Sequence, residues 1–249
     1  QLSLRSNYLI RRALTATPFK AKNKLTTIFM DKLEFELTEA QKKVVQEIKN
    51  DLEKNYPMQR LLQGDVGSGK TVVATIAALQ VIENGSQVAF MAPTEILAEQ
   101  HYRKLTGWLT PLNIKVAWLT GSQSKKDREV SLSLTQSGEA NIVVGTHALF
   151  QDHVVFKKLG LSIIDEQHRF GVEQRLALRK KGELNKAIEP HQLMMSATPI
   201  PRTLSMSYFA DLDVSVIDEL PKGREAIVTK LFSEDRRNEI LKRVYEVCH

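Results

Sequence analysis

Gly64-Asp65-Val66-Gly67-Ser68-Gly69-Lys70-Thr71 fits the pattern G-x-x-x-x-G-K-[ST], a loop that cradles phosphates. Gly64, Gly67 and Gly69 let the backbone wrap a polyphosphate without side-chain clashes. The N–H groups of the whole run, Asp65, Val66 and Ser68 included, and the positive end of the next helix face the anion. Lys70 can reach β and γ phosphates, and the Thr71 hydroxyl can ligate Mg²⁺. The plainer alternative is a glycine-rich turn before a helix, and the flanks decide against it. Arg60 to Gln63 reads as a buried strand, Val72 to Leu79 as a helix apolar on every side, and Gly85 as its stop.

A second chemical element stands about a hundred residues on. Asp165-Glu166 closes the apolar run Leu161 to Ile164. In a nucleotide-binding sheet the first carboxylate can hold Mg²⁺ and the second can deprotonate the attacking water. An acidic pair opening a helix is the ordinary alternative, and the upstream phosphate loop favours catalysis. His168 is either a γ-phosphate sensor or a surface histidine. Ser196 and Thr198 carry hydroxyls that can meet His168 or Glu166, or simply bond the local backbone. Gln41 also has two readings. Thr38-x-x-Gln41 spells a capping box, and the same amide has the donor and acceptor to read an adenine edge.

These residues need elements to hold them. Strands are expected at 87–91, 115–119, 141–145, 161–165 and 192–196, with helices at 94–108 and about 124–137, Thr94 capping the first. Thr38 caps another helix, with apolar positions Ala40, Val44, Val45, Ile48 and Leu52. Continuous apolar strands alternating with helices predict an α/β fold, a mainly parallel sheet covered on both faces. Ligands then bind beyond the carboxyl ends of the strands. The residues at those ends are small or polar, and they come from every part of the chain: the phosphate loop, Thr94-Glu95, Gly121, Thr146-His147, Asp165-Glu166 and Ser196-Thr198.

Together these motifs resemble motifs I, II and III of superfamily 2 helicases, whose motor lobes are RecA-like. The runs MAPTEILAEQH (91–101), VGTHALF (144–150), DEQHRFGVEQ (165–174), MSATPIPRTL (195–204) and DVSVIDEL (213–220) are similar, more narrowly, to the RecG family of bacterial translocases that remodel branched DNA such as stalled forks and Holliday junctions. The Mfd-type transcription-repair motor is the alternative, and Ser68, Glu95 and Gln167 favour the first. The resemblance implies ATP and Mg²⁺ as cofactors, Gln41 as adenine reader, and Lys70, Thr71, Asp165 and Glu166 in phosphate, metal and base roles. It implies Thr94, Glu95, Gly121, Thr146 and His147 along a DNA track, and His168, Ser196 and Thr198 in coupling. It further implies a connector from an upstream wedge domain over 1–36, a first motor lobe over 37–225 and the start of a second lobe over 226–249, with the arginine finger outside the chain. An isolated first lobe is then nearly inactive.

Bulk properties agree. The 249 residues are 42% hydrophobic, enough for a real core, and no apolar run approaches the ~20 residues of a membrane span. One cysteine, Cys248, excludes an internal disulfide framework and suits a reducing cytoplasm; the resemblance implies a bacterial one, with the motor at the nucleoid. With no initiator Met and no signal pattern, the chain is expected to be part of a longer one. Net charge is +6, equal to the six basic residues of 1–24 (Arg5, Arg11, Arg12, Lys20, Lys22, Lys24), which contain no acid. That arm is either a nucleic-acid contact or a solvated linker. A small-molecule kinase with this loop would need an acceptor pocket and lid, which the sequence does not suggest.

Overall fold

The computed structural model describes residues 14–166, 188–198, 212–219 and 231–248. Seven strands, β1 (Gln59–Gly64), β2 (Gln87–Met91), β3 (Val116–Leu119), β4 (Ile142–Gly145), β5 (Leu159–Ile164), β6 (His191–Ser196) and β7 (Asp213–Ile217), form one sheet in the order β3-β4-β2-β5-β6-β1-β7. Every pairing is parallel. The helices are α1 (Lys24–Asp31), α2 (Glu39–Leu52), α3 (Lys70–Glu83), α4 (Glu95–Leu109), α5 (Lys125–Ser137) and α6 (Arg237–Cys248).

Strands β2, β4, β5 and β6 are buried along their whole length, because apolar layers cover both faces. Alternate residues feed the two layers: Leu62, Val88, Phe90, Ile163 and Leu193 join one with α3, Leu61, Ala89, Met91, Ile164 and Met194 the other. A strand with two dry faces has no reason to alternate apolar and polar residues. Helix α3 is apolar all round for the same reason. Residues Val72 to Val81 are all buried, with α1 and α2 packed on the face that the sheet leaves free. Its two polar members in that stretch find partners: Thr75 Oγ1 donates to Thr71 O (2.8 Å) and Gln80 Nε2 to Phe19 O (2.6 Å). Gly85, at φ +76°, ends the helix as expected.

One expected boundary moves. The connector over 1–36 contains helix α1, but from Thr15 onward it belongs to the lobe's own core. Thr15 bridges Ile188, and Phe19 and Phe29 are each 1% exposed. Gly160 has no side chain because a Cβ there would lie 2.6 Å from the Phe19 ring. Lys22, assigned to the basic arm, donates from Nζ to Glu83 O (3.0 Å) at the C-terminus of α3, where a cation is favoured. Arg5, Arg11 and Arg12 lie outside the described residues, as does the expected opening of a second lobe before Leu231. Strand β7 is legible in the sequence only as part of a motif. Its Val214 and Val216 are exposed while Ser215 and Ile217 are buried, a pattern unlike the apolar runs inside the sheet. Among the described residues no helix is long and apolar enough to cross a membrane.

His191 opens β6 and ties three segments together. Its Nδ1 accepts from Met58 N–H (3.0 Å) and its Nε2 donates to Thr17 O (2.9 Å). Only a neutral ring can do both. Burial pushes its pKa down to about 4 against the ordinary 6.5. A depressed folded-state value means that the unfolded chain binds the proton first, so stability is full above about pH 6.5 and falls between there and about pH 4. Each pH unit inside that window should remove about 1.4 kcal/mol. Urea unfolding of the chain and of His191→Gln at pH 7.5, 6 and 5 checks this, the Gln variant losing most of the slope.

Candidate functional site

Because all strands are parallel, their carboxyl ends meet along one edge, and the strand order sorts the candidate residues into two groups. Strands β1, β6 and β5 are neighbours, and they present the phosphate loop, Ser196-Thr198 and Asp165-Glu166. Strands β2, β4 and β3 form the other half, and they present Thr94-Glu95, Thr146-His147 and Gly121. The first group holds what the sequence assigns to nucleotide, together with Ser196 and Thr198, to which the resemblance gives a coupling role; the second holds what the resemblance assigns to DNA.

The phosphate loop is held from within and from behind. Gly67 and Gly69 take φ +79° and +88°, left-handed backbone that favours glycine. At Gly69 a Cβ would also lie 2.2 Å from Gln41 Nε2. Gly69 caps α3 without a side-chain bond, leaving the first N–H groups of the helix for an anion. Asp65, Val66 and Gly67 are exposed, whereas Ser68 is buried with its Oγ packed against Gly64. Lys70 Nζ donates to Gly64 O (2.6 Å) and Asp65 O (2.9 Å). Burial pushes its pKa down, and the carboxylates of Asp165, Glu166 and Asp65 pull it back in part.

Gln41 satisfies more than the capping reading. Its Oε1 accepts from Thr38 N–H (2.9 Å) and its backbone N–H donates to Thr38 Oγ1 (3.2 Å), completing the capping box. Its Nε2 donates to Ser68 O (2.7 Å). The residue is 2% exposed and braces the loop from the start of α2.

Asp165 and Glu166 stand opposite the loop. Asp165 Oδ1 accepts from Glu166 N–H (3.0 Å), and Oδ2 bonds His101 Nε2 (2.7 Å). Glu166 sits at φ +49°, uncommon for a residue with a side chain and a form of strain found at functional sites. Gln41, Val66, Gly67, Gly69, Lys70, Thr71, Asp165 and Glu166 line one cavity of about 690 Å³, a volume that suits a nucleotide. The residues fit Mg-ATP: a cradle of N–H groups and an ammonium for phosphate, a hydroxyl and a carboxylate for Mg²⁺. Among the described residues no three His, Cys, Asp or Glu side chains converge on a metal site. Mg²⁺ that arrives on substrate phosphates needs only one or two protein carboxylates.

Phe35, Glu36 and Lys104 also line this cavity, and no sequence motif marks them as site residues. Lys104 lies over the Trp108 ring (4.7 Å), and burial pushes its pKa down. It is three residues along α4 from His101, a spacing that places both on one helix face.

The residues expected in coupling and along a DNA track are less complete. Ser196 Oγ and Thr198 Oγ1 bond each other (2.9 Å), and Thr198 N–H donates to Ser196 Oγ (3.2 Å), the local arrangement. His168 lies outside the described residues, as does Gln167. Thr94 Oγ1 caps α4 by accepting from Leu97 N–H (3.3 Å). Glu95 clamps the loop after β3, accepting from Ser122 N–H (3.1 Å) and Ser122 Oγ (2.6 Å), with Gly121 alongside. His147 is exposed, but Thr146 is 1% exposed, so the Thr146 side chain is not the surface contact that the resemblance implies.

Comparison with known proteins bears on the family and the fold. The family model described as DEAD/DEAH box helicase matches residues 38–207. The chain is 54% identical over 247 residues to the ATP-dependent DNA helicase RecG of Haemophilus influenzae, covering 99% of this chain and 36% of that protein. For RecG of Escherichia coli K12 the identity is 52% over 233 residues, covering 94% and 34%. The solved structure of RecG bound to a three-way DNA junction superposes with a TM-score of 0.85 at 45% identity, over 98% of this chain and 32% of that one. The yeast DEAD-box splicing factor Prp28, at 19% identity and a TM-score of 0.60, shares the fold. The chain thus spans about a third of the length of the curated relatives it matches. It belongs to the DEAD/DEAH box helicase family, and the resemblance to RecG expected from its motifs extends over nearly its whole length.

Proposed function

We propose that this chain is the nucleotide-binding lobe of an ATP-driven motor that translocates on double-stranded DNA and remodels branched forms such as stalled forks and Holliday junctions. The supporting observation is the cavity where the phosphate loop after β1 meets Asp165 and Glu166 after β5, with β6 between the two strands. The loop N–H groups and Lys70 bind the triphosphate. Thr71 and Asp165 hold Mg²⁺, which when bound neutralises developing phosphate charge. Glu166 takes the proton of the attacking water. Gln41 braces the loop through one N–H and one lone pair of its amide, and the second N–H and second lone pair are what it has to offer an adenine edge. Thr94, Glu95, Gly121, Thr146 and His147 border a track where phosphate contacts dominate, since a translocase must not depend on sequence. The similarity to RecG rather than to the Mfd-type motor, and the RecG structure on a three-way junction, support branched DNA as the partner. His168, Ser196 and Thr198 pass the state of the site onward. A wedge domain, a second lobe with an arginine finger, and a bacterial cytoplasmic setting at the nucleoid complete the proposal.

The test compares the 249-residue chain with the full-length protein, each with and without forked DNA. The full-length protein should show DNA-stimulated ATP turnover. The isolated lobe should fold but turn over ATP slower by about 10³ to 10⁵, the worth of an arginine finger in related enzymes. Turnover that depends on a small-molecule acceptor would replace this reading with a kinase, and comparable rates for lobe and whole protein would place the arginine inside the lobe.

A further inference from the structure

His101 has no part in holding phosphate or activating water, yet it links the two halves of the strand-end edge. It projects from α4, the helix that begins at the track residues Thr94 and Glu95, and reaches Asp165 on the nucleotide side. Both side chains of the pair are only 12% exposed. The imidazole packs on Phe90 of β2, with ring centroids 4.6 Å apart, so the ring is fixed by packing as well as by its hydrogen bond. Asp165 is fixed in turn. Its N–H donates to Met91 O (2.8 Å), Oδ1 takes Glu166 N–H, and Oδ2 takes His101 Nε2–H. An ionised carboxylate only accepts, so the ring nitrogen is the donor here. Each carboxylate oxygen keeps a lone pair for a cation or its water.

We propose that His101 is the positioning residue for Asp165: its Nε2–H sets the rotamer in which the carboxylate meets Mg²⁺, and Phe90 sets the rotamer of His101. This rests on the reading of Asp165 as a metal-side carboxylate. A partner in this position orients a metal-holding group without touching the metal, and removing one costs 10- to 100-fold in metal affinity or activity as a rule.

Two substitutions separate the donor from the packing. His101→Phe keeps a ring against Phe90 and removes the N–H. His101→Gln keeps an N–H at a similar reach and removes the ring. In the full-length protein with forked DNA, the Mg²⁺ concentration for half-maximal ATP turnover is measured, together with the affinity for a fluorescent ADP in excess Mg²⁺ and in EDTA. His101→Phe should raise the Mg²⁺ requirement by about 10- to 100-fold and weaken ADP binding only when Mg²⁺ is present. His101→Gln should restore most of both. Wild-type Mg²⁺ dependence in His101→Phe overturns the proposal, and so does a Gln variant as impaired as the Phe one. Equal weakening of ADP with and without Mg²⁺ also overturns it, because the residue would then be supporting the fold. If Phe lowers the thermal midpoint, His101→Leu replaces it as the donor-free variant and the same comparison with Gln decides. A wild-type protein with no Mg²⁺-dependent turnover would instead refute the reading of the site itself.

Discussion

Lys70→Ala leaves a folded lobe in a protein whose ATP turnover falls by about 10² to 10³, the usual cost of removing one preorganised charge from a transition state. The size of the effect depends on how Lys70 is held. Its ammonium donates to Gly64 O and Asp65 O, inside the arc of its own loop. It is half-buried, which pushes its pKa down, and three carboxylates offset part of that cost. A phosphate entering the arc meets a cation already aimed at it, so little reorganisation is needed. Alanine removes that cation and frees two loop carbonyls, so both nucleotide affinity and turnover decline. Fold stability should hardly change, because the loss of two hydrogen bonds is offset by the loss of a partly desolvated charge. Steady-state ATPase assays and thermal melts of the full-length protein check the two halves of this expectation. Near-normal turnover would mean that the loop does not bind the triphosphate.

Glu166→Gln divides binding from chemistry. Gln has nearly the shape of Glu, so the backbone at φ +49° is equally strained in both. The Glu166 N–H that donates to Asp165 Oδ1 is retained, so the neighbouring carboxylate stays in place. The substitution removes the base and one of the three negative charges that face Lys70. Turnover should fall by about 10² to 10⁴ while Mg-ATP affinity stays near that of the wild type. Equilibrium binding of a fluorescent ATP analogue beside single-turnover hydrolysis separates these. Parallel loss of both would make Glu166 a metal ligand or a structural group.

Legibility in the sequence depends on whether the physical cause is local. The phosphate loop, the capping of α4 by Thr94 and the strands inside the sheet depend on neighbours in sequence, and each is found within a residue or two of its expected place. Strand β7 escapes because its exposed Val214 and Val216 break the apolar run that marks the others. Phe19 reads as part of a linker because nothing near it is periodic. Its reason for burial is Gly160, far along the chain. His101 and Asp165 are 64 positions apart and only the sheet order brings them together. Gln41 reads as a choice between two uses, although an amide has two ends: the oxygen completes the capping box and the nitrogen braces the loop. Long-range pairs of this kind carry no spacing signal.

The sheet order also sets a schedule for the chain as it is made. Strand β1 launches the phosphate loop, yet its two neighbours are β6 and β7, and Arg60 pairs with Leu193 on one side and Asp213 on the other. At the usual rate of about 5 to 20 residues per second of synthesis, β1 waits on the order of ten seconds for its first edge partner. Strands β2 and β4, closer in sequence, can pair well before that. Until β6 arrives, Leu61 and Leu62, which end with no measurable exposure, have no sheet to lie in. The segment that opens the nucleotide site is therefore among the last to be seated, and a growing chain presents an apolar, unpaired strand beside a half-built sheet for that interval. Slowing translation between residues 64 and 191 should lengthen the exposure and increase the share of chains that need a chaperone, whereas slowing it after 217 should not.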